Sequence, residues 1–170
     1  FGPLFIDFLK NTGKLCVNGI ETDVTSPEPH IITINRSELF HPVQFMQDRN
    51  LKIEEQDERS VMLEKIDISD IRLTSMLRDE TAISGEEHLK RLKEHKHVRL
   101  DAKVFQTMWE NQDVIPVQWR MSNNSPNHIF FDGTILKNKH GRYVICLYWD
   151  SDGKWRWTYC RLDLGGWNAN

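Results

Sequence analysis

Cysteine is scarce in this sequence: Cys16, Cys146 and Cys160 are the only three among 170 residues. The odd number and the lack of any CxxC pair signal neither a disulfide framework nor a structural zinc site. Unpaired thiols slightly favour a cytoplasmic setting. Surface display stays open, and a Cys146–Cys160 bridge between neighbouring strands is an alternative. No apolar run approaches the roughly 18 residues that span a bilayer. No charge of one sign dominates, with 22 Lys and Arg against 25 Asp and Glu and a net charge of −3, so nothing global attracts nucleic acid or anionic lipid. A nucleophile elbow, a Walker loop, GxGxxG and HExxH are all missing, which leaves an enzyme without a motif to support it. No repeat or low-complexity tract occurs.

What remains is a globular composition, 39% hydrophobic and 28% charged, of a size for one domain or one domain with a small appended segment. Pro3 to Leu9 is an apolar segment too short to type by period. After Pro27 and Pro29, His30 to Ile34 reads as a short strand. Asn35-Arg36-Ser37-Glu38 matches a capping box, and Pro42 either limits a helix there to about a turn or starts a new one. Residues 47–60 are so charged that they read as a solvated loop or linker. Ser60 to Leu77 reads as a strand and a short turn. Ser84-Gly85-Glu86-Glu87 caps one helix bearing Leu89 and Leu92, and Asp101 caps a second bearing Val104, Phe105, Met108 and Trp109. Beyond Pro116 the period changes to two. Ile129–Leu136 predicts one strand bulged at Gly133. Arg142–Trp149 and Trp155–Cys160 predict two more, joined by turns at 138–141 and 150–153 into a meander.

Few clusters suggest chemistry. His88, His95 and His97 sit among lysines and arginines, which disfavours a metal and reads as a solvated helix end. Asp67, Asp70, Glu86 and Glu87 offer acid–base pairs but read more simply as surface charge. Asp150-Ser151-Asp152-Gly153 echoes half a calcium loop, yet Arg161 stands where its closing Glu belongs, so a hairpin turn is the better reading. Basic and aromatic residues mix between Lys154 and Arg161, but neighbouring aspartates balance the charge, making nucleic acid a minor alternative. Four tryptophans, Trp149, Trp155, Trp157 and Trp167, are the main signal. Interleaved with Tyr, Arg, Asn, Ser and Asp, they resemble a binding surface held on rigid apolar anchors.

Several stretches resemble a family of uncharacterised proteins from small-genome bacteria. They include Leu100–Gln112, Ile115-Pro116 and Trp119, Phe130–Thr134, Arg142–Val144, and the spacing of Trp149, Trp155, Trp157, Leu162 and Trp167. Gly85–Lys93 and Glu58–Ser60 also fit, so the resemblance covers about residues 40–170. The end of such proteins is similar to the variable region of diversity-generating retroelement targets, in which an error-prone reverse transcriptase rewrites surface codons on a C-type-lectin-like fold. The resemblance implies that Trp149, Trp155, Trp157, Leu162 and Trp167 are scaffold. It also implies display at Tyr148, Asp150, Ser151, Asp152, Arg156, Thr158, Tyr159, Cys160, Asp163, Gly165, Gly166, Asn168 and Asn170. Arg161 departs from a usual Trp and joins the display set, and the chain stops at Asn170 where family members continue.

The expectation is an α+β protein. An N-terminal segment over residues 1–59 precedes a C-type-lectin-like ligand-binding domain over residues 60–170, in which two helices pack on an aromatic antiparallel sheet. The expected function is non-catalytic recognition of a protein or glycan, with no cofactor and no metal. The alternatives are a hydrolase or nuclease using N-terminal carboxylates and histidines, and an assembly subunit with an aromatic oligomer interface.

Overall fold

A computed structural model describes residues 4–8, 30–47, 50–122, 125–164 and 167–168. In chain order it contains β1 (Leu4–Phe8), β2 (Ile31–Thr33), α1 (Pro42–Met46), β3 (Lys52–Gln56), α2 (Glu58–Val61), β4 (Lys65–Asp67), β5 (Ile71–Ser75), β6 (Ala82–Ile83), α3 (Gly85–Glu94) and α4 (Ala102–Glu110). The short strands β7 (Met121–Ser122) and β8 (Ser125–Pro126) follow. Then come β9 (His128–Phe130), β10 (Thr134–Asn138), β11 (Gly141–Trp149), β12 (Trp155–Arg161) and β13 (Trp167–Asn168). The protein is mixed α+β, with four α-helices and largely antiparallel sheets among the described residues.

The run Tyr143–Trp149 is the most β-prone in the chain, and as β11 it is the hub of a seven-stranded sheet. β12 pairs along one side of it, and β10 and β9 share the other. β10 continues outward to β3, while β9 is followed by β1, in parallel, and then by β5. Alternation along β11 builds two cores. Tyr143, Ile145 and Leu147 face Ala102, Val104, Phe105 and Met108 of α4. Val144 and Cys146 face Leu89 and Leu92 of α3, together with Phe130, Ile135, Leu162 and Trp167. The two helices therefore cover opposite faces of the sheet. Both start where their caps place them: Ser84 Oγ accepts from the Glu87 amide (3.1 Å), and Asp101 Oδ1 accepts from the amides of Lys103 (2.7 Å) and Val104 (3.2 Å).

The expected single strand over Ile129–Leu136 is two strands. At Asp132-Gly133 the backbone turns and wedges against the entry to α4, with the Gly133 amide donating to the Leu100 carbonyl and the Asp57 amide to the Gly133 carbonyl. A Cβ at Gly133 would lie 2.0 Å from the Arg99 carbonyl oxygen, so no side chain fits. The expected capping box at Asn35 is an Asx turn, in which Asn35 Oδ1 accepts from the Ser37 amide and hydroxyl. The helix there begins instead at Pro42, with His41 as a cap that makes no side-chain bond. Ser60–Leu77 resolves into the end of α2, β4, a 3-10 turn (Ile68–Asp70) and β5, the two strands pairing in different sheets.

Within the charged segment 47–60, the described residues 50–60 are not a solvated linker. Residues 52–56 form β3, an edge of the main sheet, and Asp57 caps α2. Because β1 and β3 share the sheet with β9–β12, the main sheet crosses the 59/60 boundary. Arg36 ties the two parts further: it donates to the buried Asp101 carboxylate (Nη1, 3.1 Å) and to the carbonyls of Ser60 and Leu63. Among the described residues no helix is long and apolar enough to cross a membrane.

Candidate functional site

Most of the site expected from the sequence, Tyr148 to Arg161, falls on the β11–β12 hairpin. Its loop closes with the Asp150 amide donating to the Lys154 carbonyl (2.8 Å) and the Gly153 amide to the Asp150 carbonyl (3.0 Å), while Gly153 takes a left-handed φ of 73°. The Asp150 carboxylate accepts from the Ser151 amide (2.6 Å) and hydroxyl, and from Arg156 Nε (3.2 Å). Those bonds, the Ser151 amide first, hold its carboxyl below the usual range. Ser151 and Asp152 are exposed at the tip.

Register then assigns each strand residue to a face. Trp149 pairs with Trp155, Leu147 with Trp157, Ile145 with Tyr159 and Tyr143 with Arg161. These side chains point to the α4 face. Trp155 is 4% exposed. Trp157 packs among Phe45, Phe105 and Trp109, and the Arg120 guanidinium lies 4.0 Å from the Trp149 ring centroid. The opposite face carries Tyr148 opposite Arg156, and Cys146 opposite Thr158. Tyr148 stacks on His128 at 5.5 Å, and Arg156 and Thr158 are exposed.

The structure thus brings Tyr148, Asp150, Ser151, Asp152, Arg156 and Thr158 together at the loop end of the hairpin. It does not bring Tyr159, Arg161 and Asp163 to the same patch. Tyr159 and Arg161 lie on the α4 face toward the other end of β12, where Tyr159 meets the Tyr143 ring edge-on and Arg161 pairs with Asp163 (2.6 Å). Strand geometry dictates this, since neighbouring residues point to opposite faces. Cys160, on the Thr158 face, is half-buried. Asn168 is paired in β13 with Ala82 of β6. Gly165, Gly166 and Asn170 lie outside the described residues.

The other candidates have structural roles. Asp67 accepts from the Ser69 amide and hydroxyl, Glu86 pairs with Arg142 (2.6 Å) and Glu87 with Arg91 (2.9 Å), while Asp70 ends a 3-10 turn. His95 and His97 stack on each other after α3. His88 does not belong to a solvated helix end: it is fully buried against Trp167, and burial, with Arg91 nearby, drops its pKa to about 3. Its position with Gly85, Leu89 and Leu92 on one helical stripe was the available signal. No group of three metal-ligating side chains occurs among the described residues. An open hollow of about 630 Å³ gathers Glu38, His41, Gln44, Lys103 and Gln106 beside α1 and α4.

Three residues escaped sequence reading. His128 extends the Tyr148 face, and Arg120 covers Trp149; neither follows a local pattern. Asp132 is fully buried, its Oδ1 has no hydrogen-bond partner, and desolvation raises its pKa to about 7. No family model matches the chain, and neither curated proteins nor solved structures yield a match.

Proposed function

We propose that the protein is a non-catalytic recognition protein of the diversity-generating retroelement target type, with a C-type-lectin-like C-terminal part that displays a rewritable surface. The observation that carries this reading is the division of labour along β11 and β12. The tryptophans pack inward and set the hairpin, while Asp150, Ser151, Asp152, Arg156 and Thr158 leave their side chains at the surface with few ties to the core. Residues so placed change identity at little cost in stability, usually within about 0.5 kcal/mol, which is what a diversified surface requires. The ligand is a protein or glycan that meets the loop end, where Tyr148 and His128 offer a stacked aromatic flank to the polar tip. The surface chemistry of Tyr, Ser, Asp and Arg is that of paratopes, in which rigid rings supply area and short polar groups supply adaptable bonds.

The genomic neighbourhood tests this directly. The reading expects a reverse-transcriptase gene nearby and a near-copy of the codons for about residues 142–170. A complete genome that lacks both would overturn it.

A further inference from the structure

Cys146 and Cys160 stand on adjacent strands and on one face of the sheet. Cys146 is opposite Thr158 and Cys160 opposite Val144, so the two are one diagonal step apart. Cys146 is fully buried and Cys160 half-buried within the same apolar cluster under α3. The Cys146 thiol donates to the Leu147 carbonyl (3.8 Å), and its presence on the neighbouring strand draws the Cys160 thiol below its usual range. Burial pushes the Cys146 thiol the other way, well above its usual range. One thiol is thus the better nucleophile and reachable, while the other is protonated and shielded directly beside it.

We propose that Cys160 and Cys146 form an oxidative modification site, in which a small hydroperoxide oxidises Cys160 and Cys146 resolves it to a cross-strand disulfide. The Cys160 thiolate attacks the peroxide; an S–O bond forms, the O–O bond breaks, and the alkoxide or hydroxide leaves with a proton from water. The Cys146 sulfur then attacks the Cys160 sulfur. The S–S bond forms, the S–O bond breaks, and the hydroxyl leaves as water with the Cys146 proton. Two thiols lose two electrons in total, and the hydroperoxide gains them. A diagonal pair stands about 7–8 Å apart, just beyond the roughly 6.8 Å that a disulfide spans, so the bridge requires the strands to shift. β12 can supply the small shear required, because among the described residues it pairs on one side only, with β11. The bond would staple the two strands that carry the polar tip, whatever that tip binds.

The test uses the full reduced chain, hydrogen peroxide, and mass spectrometry under non-reducing conditions. The inference expects an intact-mass loss of two hydrogens and a linked peptide joining Cys146 to Cys160, both reversed by a dithiol. In Cys146→Ser, dimedone should label Cys160 as a sulfenic acid. Because the wild-type peptide map needs no variant, it stands even if that substitution impairs folding. Direct progress of Cys160 to sulfinic acid without a bridge, a bridge through Cys16 in place of this pair, or thiols unchanged by peroxide would each overturn the inference.

Discussion

Trp149 and Trp155 face each other across the β11–β12 hairpin, ring centroids 5.1 Å apart and planes at 77°. Edge-to-face pairs at this spacing stabilise beyond the area they bury, and this pair closes the strands directly below the exposed loop. Trp155 carries more of the burial, and its indole N–H has no acceptor. Trp155→Ala should cost about 3–5 kcal/mol. Trp155→Phe keeps one aromatic ring and deletes the unpartnered donor, so it should cost less than Trp155→Ala. Arg156→Ala, one residue away on the other face, should stay within about 0.5 kcal/mol. Urea denaturation of the three variants checks the order.

Gly133 carries the close approach between the β9–β10 turn and the start of α4. With the Arg99 carbonyl oxygen 2.0 Å from any Cβ, Gly133→Ala must displace backbone, at a cost of about 3 kcal/mol or more. Thermal unfolding should show a lower Tm, whereas Gly153→Asn, at a left-handed position in an open loop, should lower it far less.

Two buried groups tilt stability in opposite directions with pH. His88 has a folded pKa of about 3 against an ordinary 6.5, so the unfolded chain binds its proton first. The stability His88 provides is present above about pH 6.5 and is lost as pH falls toward 3. Asp132 has a folded pKa of about 7 against 3.8, so the folded chain holds its proton longer. Its contribution is present below pH 3.8 and is lost as pH rises through about 7. Across the window they share, roughly pH 4 to 6.5, the slopes oppose. Asp132→Asn should make stability rise more steeply with pH there, and His88→Gln should make it rise less. Tm against pH for each variant reads the sign.

Strand parity makes a sharper distinction at β12. Leu162 bonds to Arg142 and Asp150 to Lys154 through their backbones, so the intervening even-numbered residues of β12 bond to β11 and the odd-numbered ones turn their amides to the open edge. Thr158→Pro removes a ladder bond and should destabilise by about 1–3 kcal/mol. Tyr159→Pro removes an amide that faces the edge and should cost markedly less. Equal losses would refute the assigned register.

Much of this architecture is legible in the chain. The caps at Ser84 and Asp101 and the alternating run through β11 and β12 are local signals, and local structure obeys them. The misread parts depend on distant partners. Lys52–Gln56 has one apolar residue and looks like linker, yet it is a strand. Glu54 is held by Lys137 and Arg142, and Glu55 by Lys93 and Arg99, all between 38 and 88 residues away. The candidate residues for the proposed surface can be named one by one from the sequence. Their division between two faces required the β11–β12 register, which fixes that Tyr148 and Arg156 share a surface and Tyr159 does not.

The central claim is that the hairpin presents variable residues on an invariant tryptophan scaffold. Deep sequencing of this locus across a population carrying it tests that claim most directly. The account expects amino-acid changes concentrated at Tyr148, Asp150, Ser151, Asp152, Arg156 and Thr158, and extending to Tyr159, Arg161, Asp163, Asn168 and Asn170, with Trp149, Trp155, Trp157, Leu162 and Trp167 unchanged. Changes spread evenly along the chain, or as frequent at the tryptophans as between them, would contradict it.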